Sequence, residues 1–558
     1  MGFLRVVSTY GLLCNLHLTR ASSSSSRETQ SQIQPHRIAI IGAGAAGTST
    51  SYHLRKFANQ AHLPLNITIF DRNPYIGGRS TTVNAYGDES QPVELGASIY
   101  VAENKILVDA IDEFNLSSSE PDIMVATDDS NAPALGIFDG AQFVYTMQGG
   151  SWWDIANLGW HYGFYTVYRA QALMKETVSK FMRLYDEPLF PWGGLTEVVY
   201  EIGLSEMMAK TGEEFLEENR ISEKFAREFV QSATRVNYAQ NLRTIHAVEA
   251  MVCLATDGAM SVDGGNWQVF ANMAKSSADS IHLSRAVSSI AKATDGKFVI
   301  GAKLQECCDS EADNQSVVTE VFDSVVLTSS LQHASLSFSP DPQFIPEKVP
   351  YVDLHVTLFT SSYRLAASGF SLPPGQPVPL TVLTTLPEGE IPAAGNKTQA
   401  GSPGFYSISA LRQVQNPETG EFEYLYKIFS PTAIDAKFLA HILGLPQPSP
   451  ENQPFPIYPG GTIWDLPKDQ VTWIHRKLWQ SYPYGFPRTK FEKLRLDDGI
   501  WYTAGMEGFI STMETSALSG ANVARLLIDE LIRRRDEDGT HIASSVMNDE
   551  QKPLRAKL

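Results

Sequence analysis

The chain of 558 residues has little cysteine: Cys14, Cys253, Cys307 and Cys308 are the whole complement. Four thiols cannot build the disulfide framework of a small secreted scaffold, and the absence of any C-x-x-C pair removes the usual zinc and dithiol-redox signatures. No metal-ligand set is nominated. Basic residues are also in short supply, 44 against 62 acidic ones, for a net charge of −18. That balance argues against nucleic acid and against anionic membrane surfaces as partners. No later stretch reaches the roughly 18 uninterrupted apolar residues of a bilayer-spanning helix, and no internal repeat stands out. What remains is an ordinary globular composition, 43% hydrophobic, in a chain too long for one compact core. Two or more domains are expected.

The organising stretch is residues 37–47, RIAIIGAGAAG. Ile38-Ala39-Ile40-Ile41 is a short apolar run suited to a buried parallel strand. Gly42, Gly44 and Gly47 complete G-x-G-x-x-G, and residues 48–58 read as a helix. The first glycine permits the strand-to-helix turn, the second lets a pyrophosphate approach the backbone, and the third lets the helix lie close to the sheet. Ala45 and Ala46 belong to the same phosphate-facing turn, where free N–H groups and the positive dipole end face the ligand. A second strand, residues 66–70, ends at Asp71, placed to hold ribose hydroxyls.

The run Asp71-Arg72-Asn73-Pro74-Tyr75-Ile76-Gly77-Gly78-Arg79 resembles the D/E-x(5)-G-G-R stretch of FAD enzymes of the amine-oxidase and glutathione-reductase type. That resemblance implies FAD, with Arg72, Gly78 and Arg79 beside it. Val93-Glu94-Leu95-Gly96-Ala97-Ser98 resembles the segment of those families that passes the flavin ring, which assigns Gly96, Ala97 and Ser98 to the cofactor. Ile500-Trp501-Tyr502-Thr503-Ala504-Gly505 followed by a helix resembles their second FAD motif, which assigns Gly505, Glu507, Met513 and Glu514. Ser511-x-x-Glu514 also fits a capping box. Residues 281–290 alternate as a strand would, and Val287 is the position at which such a strand meets the adenine edge.

Between these motifs the pattern is helical, from about 150 to 277, and then strand-rich. Residues 150–185 are dense in aromatics, among them Trp153, Trp160, Tyr162, Phe164, Tyr165, Tyr168, Phe181 and Tyr185. They read as a helical core, with the wall of an apolar substrate pocket as the alternative. Residues 353–359, 405–411 and 423–429 read as strands of a second sheet, a lid over the cofactor. His355 is not nominated as a catalyst. The fold class is therefore α/β: a Rossmann-type FAD-binding domain with a second α+β substrate domain. The division expected is 36–110, 270–335 and 495–535 for the first, 111–269 and 336–494 for the second, and a charged tail over 536–558.

Two further segments carry a more specific resemblance. Arg235-Val236-Asn237-Tyr238-x-Gln240, and Gly264-Gly265-Asn266 opening a helix, are similar to the prenylcysteine oxidase (prenylcysteine lyase) family over residues 37–532. The resemblance implies an FAD-dependent thioether oxidase acting on S-farnesyl- or S-geranylgeranylcysteine, with O2 as co-substrate. It departs at Ala239, where the family leads one to expect glycine, and in long Pro/Gly-rich inserts. Arg235 is a candidate partner for the substrate carboxylate, with a structural ion pair as the other reading. No water-activating residue is identified. The alternatives are a flavin amine oxidase and a non-catalytic FAD-stabilised lipid-binding protein.

Residues 1–35 read as a secretory signal with cleavage near Ala21 plus a serine-rich linker, a mitochondrial presequence being the rival. Four N-x-S/T sequons, at Asn66, Asn115, Asn314 and Asn396, accord with a secretory route. A lysosomal or vacuole-like destination is expected, with peripheral membrane contact for a lipid substrate.

Overall fold

A computed structural model describes residues 34–121, 132–149, 152–304, 317–392, 398–447, 466 and 469–550. The expected signal segment, Cys14, Cys307, Cys308, the sequons at Asn314 and Asn396 and most of the loop 446–461 lie outside the described residues.

A six-stranded sheet carries the glycine motif. Its central strand, His36–Ile41, pairs in parallel with Leu65–Phe70 on one side and Ser324–Leu327 on the other. Ser280–His282 and Ile500–Tyr502 extend it in parallel, and Arg495–Asp497 closes one edge in antiparallel. Ile38, Ala39, Ile40, Val325 and Val326 are fully buried. A strand covered on both faces needs such an uninterrupted apolar run. Helix α1, Ala45–Ala61, follows the first strand directly.

The strand expected over 281–290 is divided, and so is the stretch 318–327. Residues 280–292 break at Ser284, whose φ is +52°. Ser280–His282 stays in the first sheet, and Arg285–Lys292 enters a four-stranded sheet with Phe298–Leu304, Val318–Phe322 and Ser337–Ser339. Residues 318–327 break at Asp323, whose carboxylate accepts the Arg37 N–H at 2.8 Å. One strand on each side then serves a different sheet.

A third sheet has seven strands, in the order Trp473–Pro483, Tyr351–Ser361, Phe422–Ser430, Ser407–Gln415, Thr381–Thr384, Leu135–Phe138, Phe143–Met147. It is antiparallel throughout except where Thr381–Thr384 runs parallel to Leu135–Phe138. Between the motif-bearing segments lie α2 (Lys105–Glu113), α3 (Trp152–Tyr162), α4 (Phe164–Met182) and α5 (Ala247–Val252).

The last helix, α6, spans Met513–Glu550. It packs against α1 at short range: a Cβ on Gly520 would run into the Ala46 carbonyl, and Ser49 Oγ donates to the Ala517 carbonyl at 2.6 Å. The helix runs on into the segment expected as a charged tail, 536–558, and ion pairs one turn apart ahead of that segment, Arg525–Asp529 and Arg534–Glu530, support it.

Candidate functional site

The glycines of the first loop divide by what surrounds them. Gly42 has φ +116°, open to glycine alone at low cost. A Cβ on Gly47 would strike the Gly42 carbonyl, so Gly47 serves the packing of α1 onto the strand. A Cβ on Gly44 meets nothing closer than the Cα of Gly78 at 3.8 Å. The protein itself does not require glycine at 44; a ligand lying against that backbone would. Gly44 is extended and leads into Ala45 and Ala46 of α1 with no side-chain cap. Gly77 bridges to it in parallel, and its N–H donates to the Ala43 carbonyl at 2.9 Å. Gly77 and Gly78 both have positive φ, which brings their bare backbone against the loop.

Asp71 buttresses this loop. Its Oδ2 accepts the Ala43 N–H at 2.7 Å and its Oδ1 accepts the Asn73 N–H at 2.7 Å. Burial pushes the carboxyl up, and those N–H groups pull it back down. Oδ1 also accepts Asn73 Nδ2 at 3.0 Å, so Oδ2 is the oxygen that keeps a second lone pair for a ribose hydroxyl. Arg72 is turned toward the carbonyl of His333, at 2.9 Å.

Arg79 joins the two motifs that lie more than four hundred residues apart. Its Nη2 meets Glu507 Oε1 at 2.7 Å and its Nη1 meets Oε2 at 3.0 Å, a bidentate pair. Nη1 also donates to the Ser481 carbonyl at 2.6 Å, and Tyr351 OH donates to Glu507 at 3.1 Å. Gly96 lies against the Arg79 carbonyl so closely that no Cβ fits. Gly505 is the second residue of the short turn Ala504–Gly508 that carries Glu507.

The first turn of α6 corrects one reading. Thr512, not Ser511, caps the helix, its Oγ1 accepting the Thr515 N–H at 3.1 Å. The capping box at Ser511 does not form. Glu514 points away, accepting the N–H groups of Ile106 and Leu107 at the start of α2 and the Tyr185 hydroxyl. Burial raises its carboxyl to about 7. The Glu514 carboxylate is therefore committed to α2, and the first-turn N–H groups of Met513 and Glu514 are what this turn offers a ligand. The Met513 side chain packs in a cluster with Ala45 and Ala97.

Arg235 is also corrected. It is fully buried and makes neither a substrate-facing contact nor an ion pair among the described residues. Its guanidinium donates to Thr384 Oγ1, Asn241 Oδ1 and the carbonyls of Gln399, Ala400 and Phe405, which uses all five N–H groups. Burial lowers it to about 10. It ties the end of a helix to the seven-stranded sheet. Val287 pairs with Ala302 in the four-stranded sheet, next to a bulge, with its side chain buried.

The seven-stranded sheet supplies residues that sequence reading missed. Its register puts His475, Lys477 and Trp479 on the face of Leu354, Val356 and Leu358, and Lys427 and Phe429 on the same face of the next strand. This face packs against Val83, Ala85, Val93 and Leu95, together with Tyr406, Trp473, Tyr482 and Tyr484. Lys427 reaches the cofactor-side segment: its Nζ donates to the Glu94 carbonyl at 2.8 Å and to Ser98 Oγ at 3.0 Å. Burial pushes its ammonium down while Glu94 pulls it up. A lysine among apolar residues of one alternating face was the available signal.

The aromatic run of residues 150–185 divides. Tyr162 and Phe181 are buried, but Trp153, Trp160, Phe164, Tyr165 and Tyr168 are exposed. These five belong neither to the expected core nor to a pocket wall.

The family described as prenylcysteine lyase matches residues 146–538, and an NAD(P)-binding Rossmann-like domain matches 40–114. Farnesylcysteine lyase of Arabidopsis thaliana is 27% identical over 521 residues, 90% of this chain and 89% of that one. Human prenylcysteine oxidase 1 is 26% identical over 529 residues, 92% and 93%. Among solved structures, cyclohexylamine oxidase from Brevibacterium oxydans IH-35A aligns at TM-score 0.50 and 13% identity over 89% of this chain and 100% of that one. A fatty acid isomerase from P. acnes aligns at TM-score 0.50 and 13% identity over 88% and 98%. These two likenesses concern fold.

Proposed function

The chain belongs to the prenylcysteine lyase family, and from that premise we propose that it is an FAD-dependent oxidase of S-prenyl-L-cysteine. The reaction takes the thioether, O2 and water to cysteine, a prenyl aldehyde and hydrogen peroxide. The observation that carries this reading is the apolar, aromatic face of the seven-stranded sheet, closed against the segment 93–98 that adjoins the glycine cradle.

FAD would be held by Gly42, Gly44, Ala45, Ala46 and Gly47 at its pyrophosphate, by Asp71 at the ribose, and by Gly78, Arg79, Gly96, Ala97, Ser98, Val287, Gly505, Glu507 and Met513 along its length. When bound, it supplies the acceptor for a hydride from the allylic carbon beside sulfur, and O2 takes the electrons on. This chain's residues do the rest. The Arg79–Glu507 pair fixes the two motifs relative to each other. Lys427 holds the Glu94–Ser98 segment from the opposite side. The apolar face would bury the isoprenoid chain at about 25 cal/mol per Å², leaving the carbon beside sulfur open to the water that the cleavage consumes. The substrate carbon must lie about 3 to 3.5 Å from its acceptor.

In this reading residues 36–110, 270–335 and 495–535 form the flavin domain, and 111–269 with 336–494 the substrate domain. The setting is the secretory pathway or a lysosome-like compartment, with peripheral contact to a membrane. The test is incubation of the purified yellow protein with S-farnesylcysteine. Anaerobic bleaching of the flavin and release of cysteine are expected. A primary amine that bleaches the flavin and yields ammonia, where farnesylcysteine does neither, would replace this reading with an amine oxidase. A flavin that air does not reoxidise after dithionite would favour the non-catalytic lipid-binding protein.

A further inference from the structure

The exposed aromatics of α3 and α4 form one patch outside the site described above. Trp153 and Trp160, seven residues apart on one side of α3, and Phe164, Tyr165 and Tyr168 on α4 are between 58% and 85% exposed. The two helices meet at Gly163, with φ +90°. The Phe164 ring lies on Gly159, where a Cβ would collide with it, so the junction is tight.

The patch carries little charge. From 152 to 174 the ionisable side chains other than tyrosine are Asp154, His161 and Arg169. Asp154 is buried and turned back onto the N–H groups of Gln148 and Gly149. Arg169 is bonded to the neutral Asn219, and His161 lies 3.6 Å from Glu228. From a neighbouring element, Lys224 stands 5.6 Å from the Tyr162 ring. Charge returns to the exposed side of α4 at Lys175 and Glu176. A tip dominated by Trp, Tyr and Phe thus stands on a protein of net charge −18.

We propose that this tip is a docking surface for a zwitterionic lipid bilayer. Trp and Tyr favour the headgroup boundary, where an apolar ring and a polar edge are both accommodated. The polar residues at 175–176 set a shallow depth, in line with the 5 to 10 Å or so of interfacial insertion. The cations nearest the tip are Arg169, bonded to Asn219, and Lys224, 5.6 Å from the Tyr162 ring; two are too few for a polybasic attraction to anionic headgroups, and the acidic remainder of the chain is repelled by them. A second copy fits less well: a stable dimer buries roughly 800 Å² per partner over some 20 to 30 residues, and this tip offers five large side chains, Trp153, Trp160, Phe164, Tyr165 and Tyr168. The inference gives a location to the membrane contact in the function proposed above. It rests on that part of the reading and not on the chemistry, because lipid binding needs no turnover.

The experiment is flotation of the purified flavoprotein with phosphatidylcholine vesicles, at low and at physiological salt. The wild type is expected to float, with little dependence on salt. Replacing Trp160, Phe164 and Tyr165 together by serine should reduce partitioning by about tenfold or more, while Tyr200→Ser, exposed elsewhere, should not. Flavin content and the melting temperature report whether each variant is folded. Failure of the wild type to float, equal flotation of the triple variant, or binding that requires phosphatidylserine and vanishes in salt would each overturn the proposal. So would a concentration-dependent dimer that the triple variant abolishes with no lipid binding. Turnover of soluble farnesylcysteine is measured separately, so the loss of either result leaves the other intact.

Discussion

The six-stranded and seven-stranded sheets face a common site, yet their chemistry is written in the chain in different ways. In the first, the positions that matter are neighbours in sequence: three glycines in six residues, then an acid at the end of the next strand. Each has a local reason, a positive φ at Gly42 or a Cβ clash at Gly47. In the second, the positions that matter meet only through register. Trp479, Leu354, Val356 and Lys427 share a face because strands far apart in the chain pair in one alignment, and a one-residue slip would turn that set away. Backbone geometry binds the cofactor in one region; side-chain alternation builds a wall in the other.

The largest effect expected belongs to the first sheet. Gly47→Ala places a Cβ inside the Gly42 carbonyl and should destabilise the apoprotein by about 3 kcal/mol or more. Gly44→Ala, with no protein atom nearer than 3.8 Å, should leave the apoprotein melting temperature unchanged and weaken FAD by at least about tenfold. Thermal melts of the apoprotein and FAD titrations separate the two. Equal stability losses would show that Gly44 serves packing, and the distinction between the glycines would fail.

The next belongs to the seam of the second sheet. Arg235→Met strands Thr384, Asn241 and three carbonyls, and should cost about 3 to 5 kcal/mol. Arg235→Lys keeps the charge but cannot reach all five acceptors, and should recover only part of it. Urea unfolding measures both. A lysine variant of wild-type stability whose KM for prenylcysteine alone rises would return Arg235 to the substrate.

These outcomes bear on what was legible. Strand, loop, helix and Asp71 were readable because the dinucleotide turn is a local solution. The second FAD motif was found, but the commitment of Glu514 to α2 was not, since the N–H groups that donate to it lie four hundred residues away. Arg235 was singled out correctly as unusual and misread, because a buried guanidinium saturated by carbonyls leaves no complementary acid in the sequence. Lys427 was missed although its place in an apolar alternating run was a signal, because the neighbours it meets depend on register. The aromatics of 150–168 were read as core by composition, and exposure is a property of the packed chain.

A smaller effect concerns pH. Glu514 is raised to about 7 and Glu249, buried where Ser511 N–H reaches it at 3.1 Å, to about 8, in both cases chiefly by burial. Between the ordinary carboxyl value of 4.5 and these values the folded chain binds more protons than the unfolded chain. These two carboxyls therefore make stability fall as pH rises from about 5 to 8, while the buried His53 and His246, lowered by burial to about 4 and about 3, make it rise up to about 6.5. Lys427, lowered by burial, acts in the opposite sense at alkaline pH: the unfolded chain binds the extra proton, so stability rises with pH toward the free-lysine value. Melting temperatures from pH 7 to 8, above the free histidine value, should decline, and Glu249→Gln should flatten the decline. An unchanged slope in that variant would remove Glu249 as a source.

The smallest effect tests the comparison at its weakest point. Ala239 stands where the family resemblance leads one to expect glycine, and it closes its helix with φ +54° and ψ +34°. Such a left-handed residue is strained for alanine by about 1 to 2 kcal/mol. Its side chain is nevertheless buried, in the cluster that includes Leu95 and Tyr406. Ala239→Gly relieves the strain, forfeits a buried methyl worth about 0.8 kcal/mol, and adds about 0.4 to 1 kcal/mol of freedom to the unfolded chain. The three nearly cancel, so urea unfolding should place the variant within about 1 kcal/mol of wild type. That near-neutrality is the counterpart of Gly47, where the backbone decides alone. A gain above about 2 kcal/mol would mean that strain governs this turn too, and a comparable loss would mean that the methyl is part of the wall.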